Sequence, residues 1–147
     1  MRCFVQTHLN APADAVWTAV KKPQTLVHVT RGFLGFSGSD RFPALWNQGQ
    51  KVETRLWFFH ILPGWKHSLT VAEVNDNEKL IRSHEYSGFY TWDHVIRVWE
   101  KFSSCGYSDE IEIHAGPLTF FIWLFANVFY RYRQMRWRRL ARNLNQR

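Results

Sequence analysis

Residues 117–147 limit the fold more than any other stretch, because they read as one long helix with two unlike halves. Residues 118–130 are almost all apolar. Beyond them stand Arg131, Arg133, Arg136, Arg138, Arg139, Arg142 and Arg147, with no acidic residue among them. Pro117 suits a first helical turn, where its missing N–H has no intrahelical partner to lose. At about 100° per residue, Leu118, Phe121, Ile122, Phe125, Phe129 and Tyr132 share one stripe, which needs an apolar surface to lie on. Phe120, Trp123 and Leu124 make the opposite face apolar as well. A helix that is apolar all round is covered on both sides, here by loops, by a second copy of the chain or by a membrane surface. The apolar run is too short for a transmembrane span, which takes about 20 residues.

The rest of the chain supplies that surface. Residues 2–9 alternate in strand fashion. Asn10 is a candidate N-cap for a short helix with Pro12 in its first turn and Val16, Trp17 and Val20 as its apolar stripe. Lys21-Lys22-Pro23 ends it, and residues 24–29 form a second short helix. Residues 31–39 carry Gly32, Gly35 and Gly38 without a phosphate-loop context, and read as a bent strand and turn. Five strand-like runs follow, over residues 50–60, 65–74, 78–87, 90–101 and 107–115. The turns between them are expected at 61–64, 75–77, 88 and 103–106. The order is strand, two short helices, six strands and a long helix. This gives an α+β fold in which a curved antiparallel sheet of about seven strands wraps the closing helix, as a single domain over residues 1–147.

Charge is local in this chain. The net +7 comes wholly from residues 131–147, because the 12 Lys+Arg and 12 Asp+Glu before them cancel. Six arginines, Arg131, Arg133, Arg136, Arg138, Arg139 and Arg142, are therefore candidate anion-binding residues, for an anionic membrane or a nucleic acid, if they are not simply a solvated face. Nucleic acid is the less expected partner. Phe120, Trp123 and Leu124 are the candidate homodimer contact. Residues 1–8 lack the pattern of a signal peptide, which favours a cytoplasmic location, with peripheral membrane contact through the arginines as the alternative. Cys3 and Cys105 read as two buried thiols.

Polar candidates for a cavity come from strand alternation. His67, His84, His94 and His114 lie on four of the strands. Trp92, His94, Ile96 and Val98 share a face, as do Asp109, Ile111 and Ile113, so His94 and Asp109 are the best candidates for inward polar groups. Glu85, Glu112 and His114 are further candidates. A buried His beside a carboxylate can do acid–base work, although it is commonly only a hydrogen-bonded wall residue. No metal is expected, since no ligand-spaced His/Cys cluster is present. Gly-x-Ser-x-Gly and dinucleotide signatures are missing too.

Residues 10–17 (Asn10, Ala11, Pro12, Ala13, Asp14, Ala15, Val16, Trp17), the run Trp92-Asp93-His94, Asp109 in the last strand and the closing helix with Arg131 and Arg133 together resemble the SRPBCC superfamily, the START-like helix-grip fold. Its members include lipid-transfer domains, birch-pollen-allergen relatives and polyketide cyclase/dehydrase-like proteins. The resemblance implies a cavity between sheet and helix for a lipid, polyketide, quinone or aromatic molecule, and no cofactor. It carries no shared catalytic motif. Trp57, Phe59, Glu85, Trp92, His94, Ile96, Phe121, Phe125, Phe129 and Tyr132 are the expected ligand-binding residues. The alternatives are a cyclase- or dehydratase-type enzyme using His94 and Asp109, and an interaction protein docking through its arginines.

Overall fold

In the computed structural model, which describes residues 1–146, one antiparallel sheet of seven strands curls into a half-barrel around a single long helix. The strands are β1 (Arg2–Leu9), β2 (Leu34–Phe36), β3 (Lys51–Phe58), β4 (Leu62–Asn75), β5 (Leu80–Ser87), β6 (Tyr90–Lys101) and β7 (Ser104–His114). Two short helices, α1 (Ala13–Val20) and α2 (Pro23–Thr30), follow β1, and α3 (Thr119–Leu144) closes the chain. Strands β2 to β7 form a meander, and β1 returns to pair with β7. This is the architecture that the alternation of apolar residues predicts.

The local departures have physical causes. Residues 61–64 are not the turn. The chain reverses at Phe59 and His60, both with left-handed backbone (φ 53° and 60°), and Pro63 and Gly64 already belong to β4. Gly64 is there for close approach: a Cβ on it would lie 2.8 Å from the Leu56 carbonyl oxygen, beside the register shift between Arg55 and Trp57. Cys105 and Gly106, expected in a turn, lie within β7, and the reversal falls at Phe102 (φ 55°). The indole of Trp99, opposite Gly106 in the pairing, covers the space a side chain would need. Pro12 occupies the N-cap of α1, the place expected for Asn10, and offers no side-chain hydrogen bond. Pro117 belongs to a short 3-10 turn, Gly116–Leu118, ahead of α3. There the Thr119 hydroxyl accepts the Ala115 N–H at 2.9 Å.

The buried face of α3 differs from the expected stripe. Ala126, Phe129, Tyr130, Arg133, Gln134, Trp137 and Ala141 are buried, whereas Leu118 and Phe121 are 47% and 66% exposed. Burial therefore continues well into the arginine-rich half. Around Trp137 and Ala141, α3 meets Val16, Trp17, Val29 and Tyr107 in one apolar cluster. Nearer its start it meets Trp92, Ile111 and Ile113 in another. Burying each large side chain of these clusters stabilises the fold by about 1.5–3 kcal/mol. Both cysteines are free and buried. Among the described residues, no helix is long and apolar enough to cross a membrane.

Candidate functional site

Alternation along the central strands aims one set of side chains at α3. From β4 come Trp65, His67 and Leu69, from β5 Ile81, Ser83 and Glu85, and from β6 Tyr90, Trp92, His94 and Ile96. Facing them, Phe121, Phe125, Phe129, Arg133 and Trp137 follow one another at intervals of four along the helix, so they stack as one row. Between sheet and row lies a cavity of about 310 Å³. Its walls are mainly aromatic and aliphatic. It reaches the surface beside Phe121 and Trp65, which are 66% and 37% exposed. Tilted aromatic contacts frame this mouth, Phe58 with Trp65 at 5.2 Å and Phe58 with Phe125 at 5.8 Å between ring centres.

The polar groups form a continuous chain across the cavity wall. Trp65 Nε1 donates to the Tyr90 hydroxyl at 3.1 Å, and that hydroxyl lies 3.0 Å from His67 Nδ1. His67 Nε2 is 2.7 Å from Glu85 Oε2, and Ser83 donates to Oε1 of the same carboxylate at 3.1 Å. In the neutral imidazole this places the proton on Nε2, so that Nδ1 accepts the Tyr90 O–H. His94 bridges the two acids, with Nδ1 3.8 Å from Glu85 and Nε2 2.9 Å from Asp109 Oδ1. Asp109 is fully buried behind His94. It also accepts the Tyr107 hydroxyl at 3.0 Å and Gln134 Nε2 at 3.4 Å. Arg133 closes the chain by donating from Nη2 to the Tyr107 hydroxyl at 3.2 Å. Its guanidinium also lies over the Tyr130 ring, 5.5 Å from the ring centre.

This network fixes the charges. Burial works against ionised Glu85, but the hydrogen bond from His67 and the nearby His94 imidazole outweigh it and hold the carboxyl well below its ordinary range. Burial raises the Asp109 carboxyl less than the Arg133 charge and the His94 hydrogen bond lower it, so it too stays ionised. For His94, burial disfavours the imidazolium, yet the hydrogen bond to Asp109 and the nearby Glu85 carboxylate prevail and raise its pKa above the ordinary value. Burial pushes the Tyr90 phenol up to about 12, so it remains protonated at neutral pH. Among the described residues no group of three or more His, Cys, Asp or Glu side chains is arranged to hold a metal ion.

The expected site residues divide. Glu85, Trp92, His94, Ile96, Phe121, Phe125 and Phe129 line the cavity. Asp109 does not line it; it lies behind His94 and Arg133, 2.9 Å and 3.8 Å from them. Trp57 does not line it: Leu56 and Phe58 face inward on β3, and the Trp57 indole donates to Ser37 Oγ at 2.8 Å. Phe59 sits in the β3–β4 turn against Phe33, half exposed. Tyr132 lies outside the cavity, its hydroxyl donating to the Arg31 carbonyl at 2.6 Å and its ring packed on Phe33. Glu112 and His114 are exposed and face away, and exposed His84 pairs with Asp93 on the outer face.

The arginines divide as well. Arg133 is 4% exposed and belongs to the cavity wall, not to a surface patch. Arg131 folds back on Asn127 at 2.9 Å, and Arg136 donates to the His28 carbonyl at 3.0 Å. Arg138, Arg139 and Arg142 are exposed, while Arg147 lies outside the described residues. Phe120 and Leu124 are about half exposed, and Trp123 donates to the Arg2 carbonyl at 2.9 Å. His67, noted only as a strand histidine, and Tyr90, Tyr130 and Trp137, not singled out at all, line the cavity as well. His67 alternates with Trp65 and Leu69, and Arg133 and Trp137 extend the Phe121–Phe125–Phe129 row, so the signal was there in both cases.

No family model matches the chain, and no curated protein matches it in sequence. Solved structures do match in shape. Protein CV1439 of Chromobacterium violaceum aligns with a TM-score of 0.76 and 13% identity, over 95% of this chain and 96% of that one. Norcoclaurine synthase of Thalictrum flavum, in complex with dopamine and hydroxybenzaldehyde, aligns with a TM-score of 0.69 and 15% identity, over 97% and 87%. The chain has the same helix-grip fold as these structures. A third helix-grip structure, DynU16 of the dynemicin biosynthetic locus, aligns with a TM-score of 0.64 and 17% identity, over 94% of this chain and 46% of that longer one.

Proposed function

We propose that this helix-grip protein binds a hydrophobic small molecule between the sheet and α3. The observation that carries this reading is a cavity of about 310 Å³ that opens beside Phe121 and is walled mostly by apolar side chains, with a few polar groups grouped on one side. Such a combination is the usual form of a ligand site, in which apolar walls supply affinity and convergent polar groups set orientation. A ring system suits the walls of Phe125, Phe129 and Trp92, and a norcoclaurine synthase of the same fold takes two aromatic compounds.

Native mass spectrometry of the purified protein tests this. A stoichiometric organic adduct that is lost on denaturation supports it. Absence of any adduct, combined with no change in tryptophan emission on titration with aromatic compounds, removes it. The emission is a direct reporter, because Trp46, Trp65, Trp92 and Trp137 all line the cavity.

A second reading, an acid–base enzyme of the cyclase or dehydratase type, is favoured by one contact, His94 Nε2 to Asp109 at 2.9 Å, with His94 itself on the cavity wall. Asp109 would orient the imidazole, and His94 would exchange the proton. Its test is whether the copurified or titrated compound is converted by the wild-type protein to a product separable by liquid chromatography, with or without loss of water, and stays unchanged with His94→Gln.

A further inference from the structure

Among the described residues three buried side-chain N–H groups have no hydrogen-bond partner: Arg133 Nε, Arg136 Nε and Trp137 Nε1. Two of the three belong to cavity-lining residues, Arg133 and Trp137, which are 4% and 1% exposed. They stand four residues apart on α3, so about 6 Å separates them along the helix axis. The only hydrogen bond of the Arg133 guanidinium, among the described residues, is Nη2 to Tyr107. A guanidinium offers five N–H donors, and leaving buried donors unmet is costly. The nearby acceptors are already engaged: Asp109 by His94, Tyr107 and Gln134, with Arg133 Nη2 at 3.8 Å as an ion pair too long for a hydrogen bond, and Glu85 by His67 and Ser83. Arg133 and Trp137 thus leave N–H donors unmet at the inner part of the cavity, and Asp109 balances the guanidinium charge without accepting a hydrogen bond from it.

We infer that the ligand carries a carboxylate, or an equivalent anionic oxygen pair, which enters first and lies against Arg133 and Trp137. The assignment rests on the cavity-ligand reading above and adds the polar end of the molecule and its direction. A planar guanidinium matches a carboxylate in shape and charge, and such contacts are among the stronger hydrogen bonds in a desolvated site. The apolar body then runs along Phe129 and Phe125 toward the mouth at Phe121. Ionised Glu85 repels a second acid on its own side of the cavity, so the carboxylate has one place to go. A neutral donor such as a hydroxyl elsewhere on the ligand remains compatible with Glu85.

Isothermal titration of the full-length protein with 2-naphthoate and with its neutral isostere 2-naphthamide separates the two claims. The expected result is a preference of about tenfold or more for the acid. Arg133→Met removes that preference, read as the ratio of acid to amide affinity within the variant, and Trp137→Phe weakens the acid several-fold. Should Arg133→Met fail to fold, the wild-type comparison stands alone and is joined by ¹³C NMR of carboxyl-labelled 2-naphthoate, whose pKa is expected to fall on binding. Equal affinity for acid and amide, or a bound pKa above the free one, overturns the carboxylate assignment and leaves the hydrophobic-ligand reading in place. Failure of both compounds to bind a protein that also carries no native adduct overturns both.

Discussion

At the scale of single residues, Asp109 decides whether the cavity wall is viable. It lies fully buried within reach of His94, Tyr107, Gln134 and Arg133, so it compensates a guanidinium that has little other partner. Removing one member of a buried pair strands the other. Asp109→Ala is therefore expected to cost about 3–5 kcal/mol in chemical denaturation. The same cluster sets the pH dependence. Asp109 and Glu85 have lowered pKa values, so their contribution is present above the ordinary carboxylate range and is lost as pH falls through the lowered values. His94 has a raised value, so its contribution is present below the ordinary histidine value and is lost as pH rises through the raised one. Denaturation midpoints should peak between about pH 5 and 6.5 and decline on either side. In His94→Gln the alkaline decline attributable to this residue should vanish.

At the scale of elements, β6 was legible because only one of its faces is uniformly core-like: Trp92, His94, Ile96 and Val98 fix its direction and its bounds. Strand β3 was not. Leu56 and Phe58 are as apolar as Trp57 and Phe59, and the bulk of Trp57 outweighed the charges of Lys51, Glu53 and Arg55, which share its face and mark it as the outer one. The even-numbered set, Val52 to Phe58, keeps to the inner side across the register break between Arg55 and Trp57. Gly64 was read as a turn residue because glycine commonly is one. Here it allows two strands to come close. Gly64→Ala should push β4 off the Leu56 carbonyl and lower stability by about 1–3 kcal/mol, seen as a fall in Tm with the helical circular dichroism signal retained. In α3 the apolar stripe was visible up to Phe129. Its continuation was hidden because Arg133 stands in the row, and charge was read as exposure.

At the scale of the whole molecule, the fold brings together residues far apart in the chain: Val5 accepts from Gln134, and Met1 donates to Ile113. No local pattern could have announced those contacts, whereas the order of elements was enough to give the sheet and its closing helix. Cavity and exposed charge also separate at this scale. The opening lies beside the start of α3, while Arg138, Arg139 and Arg142 lie near its far end, about 26 Å away from Phe121 along the axis for Arg138. A ligand entering by the mouth would not pass the arginines.

Trp137 lies between those two regions. It packs on Tyr107 at 5.1 Å between ring centres and is 1% exposed, although its sequence neighbours are Arg136 and Arg138. Trp137→Ala should cost about 3–5 kcal/mol by denaturant titration. A truncation meant to strip the terminal cations would, if cut ahead of this indole, also pull the plug from the inner end of the barrel. Questions about the positive terminus are therefore better put by exchanging Arg138, Arg139 and Arg142 for glutamine in the intact chain than by shortening it.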